Sequence, residues 1–293
     1  MRKLLLSVEN SPELNEAEKN SDPAEIARSF IDIQHKTEKK RYSLFPRASG
    51  LYKSCMRQGV LCYKKEFDFD LHLGIGMRLT FEIGNSFHYW VQNTPRILGN
   101  NRRGRWRCSA CRYLTLFGPS PTYSCPRCKA APDAFIYEEI QISMEHPYYL
   151  SGHPDMFVER PAGNFRIMEI KSINSKDFNY INNPLPEHVW QVHSYMLACI
   201  HDSMNISVTV DKDICYITYI SKAYERNNFP VKTFIVKRDL HIMAMIKDKL
   251  AQFKTGIEDG ILPLPIPGCL RSNFENAVAK SCPVISACRG KHE

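Results

Sequence analysis

Three charged residues in the middle of the chain have the types and spacing that metal-assisted chemistry requires. Asp155 borders one apolar segment, and Glu169 and Lys171 stand on either side of Ile170 in the next. Carboxylates bind divalent cations such as Mg²⁺ and Mn²⁺, and a cation held in this way lowers the pKa of an attacking water molecule. A neighbouring amine can orient that water or offset negative charge in the transition state. The alternative is an exposed acid with an ordinary Glu/Lys pair on the surface of a strand.

The secondary structure predicted around these residues would bring them together. Residues 166–171 alternate polar and apolar side chains, which predicts a strand with Glu169 and Lys171 on one face. Residues 161–164 have the composition of a turn, so we predict a hairpin that brings Asp155 up to the same face. Two carboxylates and an amine would then converge.

Two predicted helices add polar residues to this set. Residues 81–92 and 186–200 both have apolar residues at helical spacing. The first helix carries His88, and the second carries Gln191 and Tyr195 four positions apart on one side. A lone histidine on such a helix is more often a core or surface residue than a ligand, although imidazole is acceptable to Mn²⁺. His88 becomes a candidate ligand only because of the acids elsewhere in the chain.

The chain has eleven cysteines, and the spacing of one group indicates metal binding rather than disulfides. Two Cys-x-x-Cys pairs with thirteen residues between them have the arrangement of a zinc ribbon. A closed site of four thiolates is structural, and iron or a disulfide pair is the alternative to zinc. The predicted zinc ligands are Cys108, Cys111, Cys125 and Cys128.

A second group of cysteines, Cys269, Cys282 and Cys288, lies in the C-terminal tail. Three cysteines do not fill a site of four ligands, so a fourth must come from elsewhere. Cys55 is the favoured candidate, and Cys62 is the other one. Four thiolates drawn from both ends of the chain would suit a 4Fe-4S cluster that joins the termini. A second zinc site and free cysteines are the alternatives.

The positive charge of the protein is concentrated in one segment. Between Glu82 and Asp133 there are eight basic residues and no acidic ones, which equals the formal net charge of +8 of the whole chain. Such a segment attracts a polyanion, and Trp106 and Tyr113 among the arginines suit contacts with phosphates and stacked bases. A solvated basic loop is the alternative. The predicted nucleic-acid contacts are Arg102, Arg103, Arg105, Arg107 and Arg112.

Four motifs follow one another in an order that resembles the RecB-type branch of the PD-(D/E)XK nuclease superfamily. They are Gly84-x3-His88, Gly152-His153-Pro154-Asp155, Glu169-x-Lys171 and Gln191-x3-Tyr195. Cys55, in a Leu-x3-Cys-x-Arg-Gln context, and the late cysteines resemble the iron-sulfur subgroup of that branch. This subgroup contains the RecB-like CRISPR adaptation nucleases and related bacterial, viral and mitochondrial exonucleases. The resemblance covers about residues 45 to 290, apart from the ribbon.

The resemblance implies a role for each matching residue. His88, Asp155 and Glu169, with the carbonyl of Ile170, would bind Mg²⁺ or Mn²⁺, and Lys171 would be the catalytic lysine. Gln191 and Tyr195 match a motif that in the family approaches the DNA strand and the active site. The cluster ligands would be Cys55, Cys269, Cys282 and Cys288.

This chain departs from the family pattern in two places. The family commonly has two residues between the second and third cluster cysteines, whereas this chain has twelve between Cys269 and Cys282. Cys269 is therefore the less secure ligand. The zinc ribbon also lies outside the family pattern, so its predicted role rests on charge and spacing.

We predict an α/β fold with a PD-(D/E)XK nuclease core, in which helices flank a mixed sheet, together with an inserted zinc ribbon and a C-terminal iron-sulfur staple. Residues 1–44, a polar head, are either a tail that binds a protein partner or a capping helix. The other predicted parts are a helical entry (45–95), the basic ribbon (96–132), the nuclease core (133–260) and a cysteine-rich tail (261–293) that packs on the N-terminal part.

The expected function is that of a metal-dependent deoxyribonuclease, an exonuclease acting on single-stranded ends or flaps. The alternative is a non-cleaving, nucleic-acid-binding adaptor of a recombination, replication or CRISPR-related complex. A redox-sensing role for the cluster is a third hypothesis, beside a purely structural one. The sequence has no apolar stretch of about 20 residues and no signal-peptide pattern. We therefore expect no membrane partner and a cytoplasmic location, in a bacterial or phage-infected cell.

Overall fold

The computed structural model describes most of the chain after residue 37. The described residues are 38–41, 45–64, 68–71, 75–161, 163–204, 206, 208–223 and 230–289. The chain divides into a smaller compact unit, Met1–Arg41 with Asp68–Ile83, and a larger one, Tyr42–Phe67 with Gly84–Glu293. Apart from residues 38–41, the predicted polar head and its protein-binding role lie outside the described residues.

The described part of the chain contains the following strands and helices. The strands are β1 (Glu38–Arg41), β2 (Asp68–Leu71), β3 (Arg102–Arg103), β4 (Arg105–Cys108), β5 (Phe135–Glu138), β6 (Ile142–Met144), β7 (Leu150–Gly152), β8 (Met156–Glu159), β9 (Phe165–Ile173), β10 (Ile214–Ser221) and β11 (Val231–Lys237). The helices are α1 (Met56–Lys64), α2 (Ile75–Asn93), α3 (Ser175–Tyr180), α4 (Pro186–Ile200), α5 (Leu240–Glu258), α6 (Pro267–Arg271), α7 (Ala277–Lys280) and α8 (Ile285–Arg289).

Within the smaller unit, β1 and β2 form an antiparallel pair. Within the larger unit, five strands form a sheet in the order β11, β10, β9, β8 and β3. Strands β9 and β10 are parallel, whereas the other neighbours are antiparallel. The sheet is therefore mixed, and helices flank it. The predicted α/β arrangement of a mixed sheet with flanking helices is confirmed.

Alternation along β9 directs its side chains to two different cores, because successive residues of a strand point to opposite faces. Ile167 belongs to a core shared with Val192 and Met196 of α4. Met168 and Ile170 belong to a second core that includes Trp106 and the cysteines of the ribbon. Glu169 and Lys171 have the parity of Ile167, so they lie on the face toward α4.

Some predicted elements differ from the observed ones in extent. The strand predicted over residues 135–143 is two strands, β5 and β6, and the one predicted over 149–158 is also two, β7 and β8. The second break falls at His153 to Asp155, where Pro154 has no amide hydrogen for a sheet ladder. The strand predicted over residues 206–221 begins only at Ile214.

The inserted ribbon lies further toward the C-terminus than the predicted range of residues 96–132. Its strand pair consists of β4 and β5, with Arg105 opposite Glu138 and Cys108 opposite Phe135. It thus extends beyond the predicted end at residue 132, and β3, predicted as part of the ribbon, is an edge strand of the main sheet. The last strand of the ribbon, β5, therefore ends at Glu138, and Glu139 is the next residue.

The C-terminal tail forms a third apolar cluster with α1. Leu61 and Cys62 of α1 pack with Cys269, Phe274 and Val284 of the tail. Within the described residues, none of the helices has the length and apolar character needed to span a bilayer.

Candidate active site and metal centres

Asp155 is held between two neighbouring elements of the larger unit. It lies between β7 and β8 and is 5% exposed. Its Oδ2 accepts a hydrogen bond from the amide of Ile170 at 2.7 Å, and its Oδ1 lies 3.2 Å from Nδ1 of His88 on α2. The predicted hairpin therefore does join Asp155 to the edge of β9, and His88 joins the same group.

Glu169 has one oxygen that is firmly held and one that is not. Its Oε1 accepts hydrogen bonds from Nζ of Lys171 and from Nε2 of Gln191, both at 2.6 Å. Its Oε2 is buried and has no hydrogen-bond partner among the described residues, and the residue as a whole is only 1% exposed. A buried polar atom without a partner is costly, so this oxygen has the character of a ligand atom.

The electrostatics of the site are dominated by two neighbouring carboxylates in a buried setting. Burial and the charge of Asp155 raise the pKa of Glu169 to about 8, despite the opposing effect of Lys171. Burial disfavours the charged form of Lys171, but the charges of Glu169 and Asp155 outweigh it and raise the pKa of Lys171. Burial likewise opposes protonation of His88, yet the hydrogen bond and charge of Asp155 raise its pKa. A divalent cation would relieve the repulsion between the acids.

Gln191 and Tyr195 are buried members of the hydrogen-bond network around Glu169. They are 4% and 1% exposed. Nε2 of Gln191 also donates to Oη of Tyr195 at 2.7 Å, and Tyr195 donates to the carbonyl of His153 at 3.0 Å. These two residues therefore link Glu169 to the loop that carries Asp155. In this structure they are placed to position ligands, and their approach to DNA stays a prediction.

Glu139 is a candidate functional residue that sequence reasoning missed. It directly follows β5, and the ligand atoms of His88, Glu139 and Asp155 all lie within 4.8 Å of one another. Gln92 donates to Oε1 of Glu139 at 3.0 Å and to the carbonyl of Asp155 at 2.8 Å. The available signal was weak: a Gln one helical turn after His88, and an acid at the end of the strand that follows the ribbon.

His188 is a second residue that the sequence did not single out. Its Nδ1 lies 2.7 Å from Oη of Tyr219, which is the residue opposite Lys171 on β10. Burial and the positive charge of Lys171 lower the pKa of His188 to about 4, so the imidazole is neutral at physiological pH. This neutral pair packs beside the lysine without adding charge.

The four ribbon cysteines lie together in the geometry of a closed metal site. Sγ of Cys108 is 3.7 Å from that of Cys128, Sγ of Cys111 is 3.6 Å from that of Cys125, and all four lie within 4.8 Å of one another. Tetrahedral zinc takes four thiolates at about 2.3 Å each, which requires such close sulfurs. The described residues thus fit a single ion.

Both knuckles of the ribbon close in the same way. The amide of Arg112 donates to the carbonyl of Cys108 at 2.9 Å, and the amide of Lys129 donates to that of Cys125 at 2.8 Å. Arg112 and Lys129 have φ angles of 65° and 62°, in the left-handed region that favours glycine. Because both side chains are exposed, each knuckle presents a cation to solvent.

The terminal cysteines line one cavity in a looser arrangement than the ribbon thiols. Cys55, Cys269, Cys282 and Cys288 all contribute to its wall. Among the described residues, these four do not form a set with sulfurs all within 4.8 Å of one another. Cys62 is buried in the same apolar cluster but is not among the residues that line the cavity.

Arg57 connects α1 to this cavity. It is 3% exposed, and its Nε donates to Sγ of Cys288 at 3.1 Å. Its other nitrogens donate to the carbonyls of Pro263 and Cys288. The arginine of the Cys-x-Arg-Gln motif therefore holds the tail against α1 and places positive charge beside a thiol.

The structure corrects part of the predicted DNA surface. Arg102 is 1% exposed, donates to the carbonyls of Gln92 and Thr94 at 2.8 and 2.9 Å, and packs over the Trp106 ring. A buried guanidinium engaged in this way is unable to contact phosphate, so the prediction for Arg102 was wrong. Its role is to fix the end of α2.

Two other predicted arginines are paired with acids. Arg103 contacts Glu159, and Nε of Arg107 donates to Glu138 at 2.7 Å. Arg105 lies in β4, and Arg112 is exposed. Exposed cations that the sequence did not emphasise are Arg127 and Lys129, in and directly after the second knuckle.

No family profile and no curated protein matches this chain. Among solved structures, it is similar to an alkaline exonuclease (LHK-Exo) from Laribacter hongkongensis, with a TM-score of 0.40 and 12% identity over 80% of this chain and 93% of the other. The structure of LHK-Exo in complex with dAMP is similar with a TM-score of 0.28 and 20% identity, over 42% of this chain and 58% of the other. The structure of SSO0001 is similar with a TM-score of 0.38 and 11% identity, over 93% of this chain and 98% of the other. All of these TM-scores lie below 0.5, so the functional proposal rests on the site geometry.

Proposed function

We propose that this protein is a metal-dependent deoxyribonuclease with a PD-(D/E)XK-type active site. The observation that carries the proposal is the convergence of Asp155, Glu169 and Lys171, with the buried Oε2 of Glu169 left without a partner. A divalent cation would take up this oxygen and offset the repulsion of two carboxylates. Oxygen-rich donors with one imidazole suit Mg²⁺ or Mn²⁺.

Each residue of the site has a definite task in this proposal. His88, Asp155 and Glu169, with the carbonyl of Ile170, would hold the cation, which when bound polarises the phosphodiester and lowers the pKa of the attacking water. Lys171 lies within 2.6 Å of Glu169, where its ammonium can orient that water or offset charge on the pentavalent phosphorus.

Supporting residues keep the ligands in place. Gln191 fixes one oxygen of Glu169, so that the other faces away from it. Tyr195 ties Gln191 to the loop before Asp155 through the carbonyl of His153. Residues that lock the orientation of a ligand commonly affect metal affinity by about 10-fold to 100-fold.

We propose single-stranded ends or flaps of DNA as the substrate, with the ribbon as part of the binding surface. Arg112, Arg127 and Lys129 are exposed cations on the two knuckles, and Tyr123, 52% exposed, lies on the loop between them. Cations that follow a backbone, combined with an aromatic ring for stacking, are typical of single-strand binding. The ribbon thiols would hold zinc and stabilise this surface.

We propose further that Cys55, Cys269, Cys282 and Cys288 hold a 4Fe-4S cluster with a structural role. The cavity that all four cysteines line supports a single group bound by all of them. The donated hydrogen bond from Arg57 to Cys288 would stabilise a coordinated thiolate. Iron and acid-labile sulfide content of anaerobically purified protein tests this assignment.

The nuclease proposal is tested by incubating the protein with end-labelled single-stranded and duplex DNA in Mg²⁺, Mn²⁺ or chelator. We expect metal-dependent cleavage by wild-type protein and its loss in Glu169→Gln and Lys171→Ala. Lys176→Ala is the matched control, because Lys176 is an exposed lysine of α3 on the next segment. Binding of DNA by wild-type protein without any cleavage would instead favour the non-cleaving adaptor.

A further inference from the structure

The carboxylate site is more open to solvent at Lys171 than at Glu169. The two residues follow each other on the same face of β9. The exposed fraction of the side chain rises from 1% for Glu169 to 20% for Lys171. On α4, His188 lies one helical turn before Gln191, which holds Glu169, so His188 and Gln191 project from the same side of the helix.

His188 lies beside the open end of the site. Its Nδ1 is 2.7 Å from Oη of Tyr219, and Tyr219 is the residue opposite Lys171 in the parallel pairing of β9 and β10. Burial and the charge of Lys171 lower the pKa of His188 to about 4. The residue is therefore a neutral, partly exposed imidazole next to Lys171.

Tyr219 determines which nitrogen of His188 carries the proton. The amide of Leu185 donates to Oη of Tyr219 at 3.0 Å, and the only other hydrogen-bond partner of this hydroxyl among the described residues is Nδ1 of His188. Tyr219 is 0% exposed, and a buried hydroxyl that donates to nothing is costly. The hydroxyl therefore donates to Nδ1, which leaves the proton of the neutral ring on Nε2.

Nε2 of His188 is available as a hydrogen-bond donor. Within the described part of the chain it has no hydrogen-bond partner, and this nitrogen is accessible to solvent. The neighbouring acid Glu187 is engaged elsewhere, because its Oε1 accepts a hydrogen bond from Nζ of Lys53 at 2.9 Å. A free N–H group next to the ammonium of Lys171 suits an anionic oxygen, and phosphate oxygens are the commonest acceptors in protein–DNA contacts.

We propose that Nε2 of His188 donates a hydrogen bond to a phosphodiester oxygen of the bound DNA strand, and that Tyr219 is the positioning residue that keeps the proton on this nitrogen. The inference rests on the proposed nuclease site and adds a substrate contact to it. Lys171 attracts the strand by its charge, whereas the neutral imidazole adds a directional contact. Because a neutral donor displaces no counterion, the affinity that it adds is independent of salt.

The first test is binding of a fluorescently labelled single-stranded oligonucleotide to the full chain, with cysteine-bound metals retained and without added Mg²⁺ or Mn²⁺. His188→Phe keeps a ring but lacks both nitrogens, so it should weaken binding by about 10-fold to 100-fold. The slope of log K against log salt should stay at its wild-type value. His188→Gln keeps an N–H donor at the end of the side chain and should retain most of the affinity.

The matched control is His201→Phe, which should bind the oligonucleotide as wild-type protein does. His201 is exposed and directly follows α4 at its other end, about 20 Å from His188 at the rise of an α-helix. Wild-type affinity in His188→Phe would overturn the proposal. Equal losses in His188→Phe and His188→Gln would also overturn it, because a role in packing alone predicts no rescue by a hydrogen-bond donor.

The second test examines the proton on His188 directly, by ¹⁵N NMR of protein with labelled histidine. Wild-type His188 should carry its proton on Nε2. In Tyr219→Phe both tautomers should be present, and binding of the oligonucleotide should weaken by about 2-fold to 10-fold. A wild-type proton on Nδ1 would overturn the proposal, and unchanged binding by Tyr219→Phe would remove Tyr219 from it.

Steady-state cleavage in Mn²⁺ separates this inference from the nuclease proposal. His188→Phe should raise KM by the factor found in binding and leave kcat unchanged, because the contact is made equally in the bound substrate and in the transition state. Weaker binding by His188→Phe, in a protein that cleaves no DNA, would keep the contact and remove the activity. Cleavage with the same KM in wild-type protein and His188→Phe would do the reverse.

Discussion

The ribbon and the carboxylate site both gather potential metal ligands, but they do so in opposite ways. The ribbon takes four thiols from a short stretch of chain, closes each knuckle with its own backbone, and needs no distant partner. The carboxylate site takes residues from α2, from the loop between β7 and β8, from β9 and from α4, and leaves a buried oxygen of Glu169 unsatisfied. A closed set of ligands stabilises a fold, whereas an open set keeps ligand capacity for a reaction and costs stability until it is filled.

The largest effect that would test this difference between the two sites is expected from removing a thiol of the ribbon. Cys125→Ser should lose about one equivalent of zinc and make the ribbon sensitive to proteases, because structural zinc supplies much of the folding free energy of such small units. Asp155→Asn should leave the zinc content and protease pattern unchanged. Zinc analysis and limited proteolysis are the measurements.

Cys199→Ala is the control for this experiment, since Cys199 is buried in the main core away from the ribbon thiols. Retention of zinc and of protease resistance by Cys125→Ser would show that the ribbon folds without a closed metal site.

A change of pH should have an intermediate effect on the stability of the protein when its carboxylate site is free of metal. The pKa of Glu169 is raised by burial to about 8, so between its ordinary value of 4.5 and 8 the folded protein binds more protons than the unfolded chain. The free energy of unfolding should therefore fall as pH rises through this range. Glu169→Gln should remove this part of the pH dependence, and saturating Mg²⁺ should suppress it in wild-type protein.

Denaturant titrations at several pH values, with cysteine-bound metals retained, measure this difference between wild-type and variant. Parallel stability curves for the two proteins would mean that Glu169 ionises normally and that the site is not strained by its own charges.

The smallest effect is expected at the exposed surface of the ribbon. The double variant Arg112→Ala/Lys129→Ala should weaken single-strand binding and lower the slope of log K against log salt by about 1.4, from roughly 0.7 for each phosphate contact. The matched control is Arg103→Ala, because Arg103 is engaged with Glu159. An unchanged slope in the double variant would remove the ribbon from the proposed DNA surface.

The predictable part of the site consists of residues whose position follows from local rules. Period-two alternation placed Glu169 and Lys171 on one face of β9, and the turn at residues 161–164 predicted the hairpin that carries Asp155. The helix of residues 186–200 was also recognisable, and it is observed as α4. These features depend on neighbours within a few residues, so sequence patterns report them directly.

The unpredicted part depends on what each side chain meets across the fold. Arg102 looked like a DNA contact because it stands among arginines, yet the end of α2 and Trp106 enclose it. Glu138 and Glu139 are adjacent residues of the same type. The packing of β4 places Arg107 within hydrogen-bond distance of Glu138, and the packing of α2 places Gln92 within hydrogen-bond distance of Glu139. Long-range packing of this kind decides which residues of the same type are buried and which are exposed.

By itself, the sequence determined the ligand types, the knuckle spacing and the alternation that puts an acid beside a base, because these are properties of short stretches of chain. Only the tertiary structure decided which ligands meet, since Asp155, Glu139 and His88 come from separate segments and converge through hydrogen bonds across the sheet and α2. It also decided that Glu169 keeps one oxygen without a partner, because the positions of Lys171 and Gln191 direct both of their hydrogen bonds to the other oxygen.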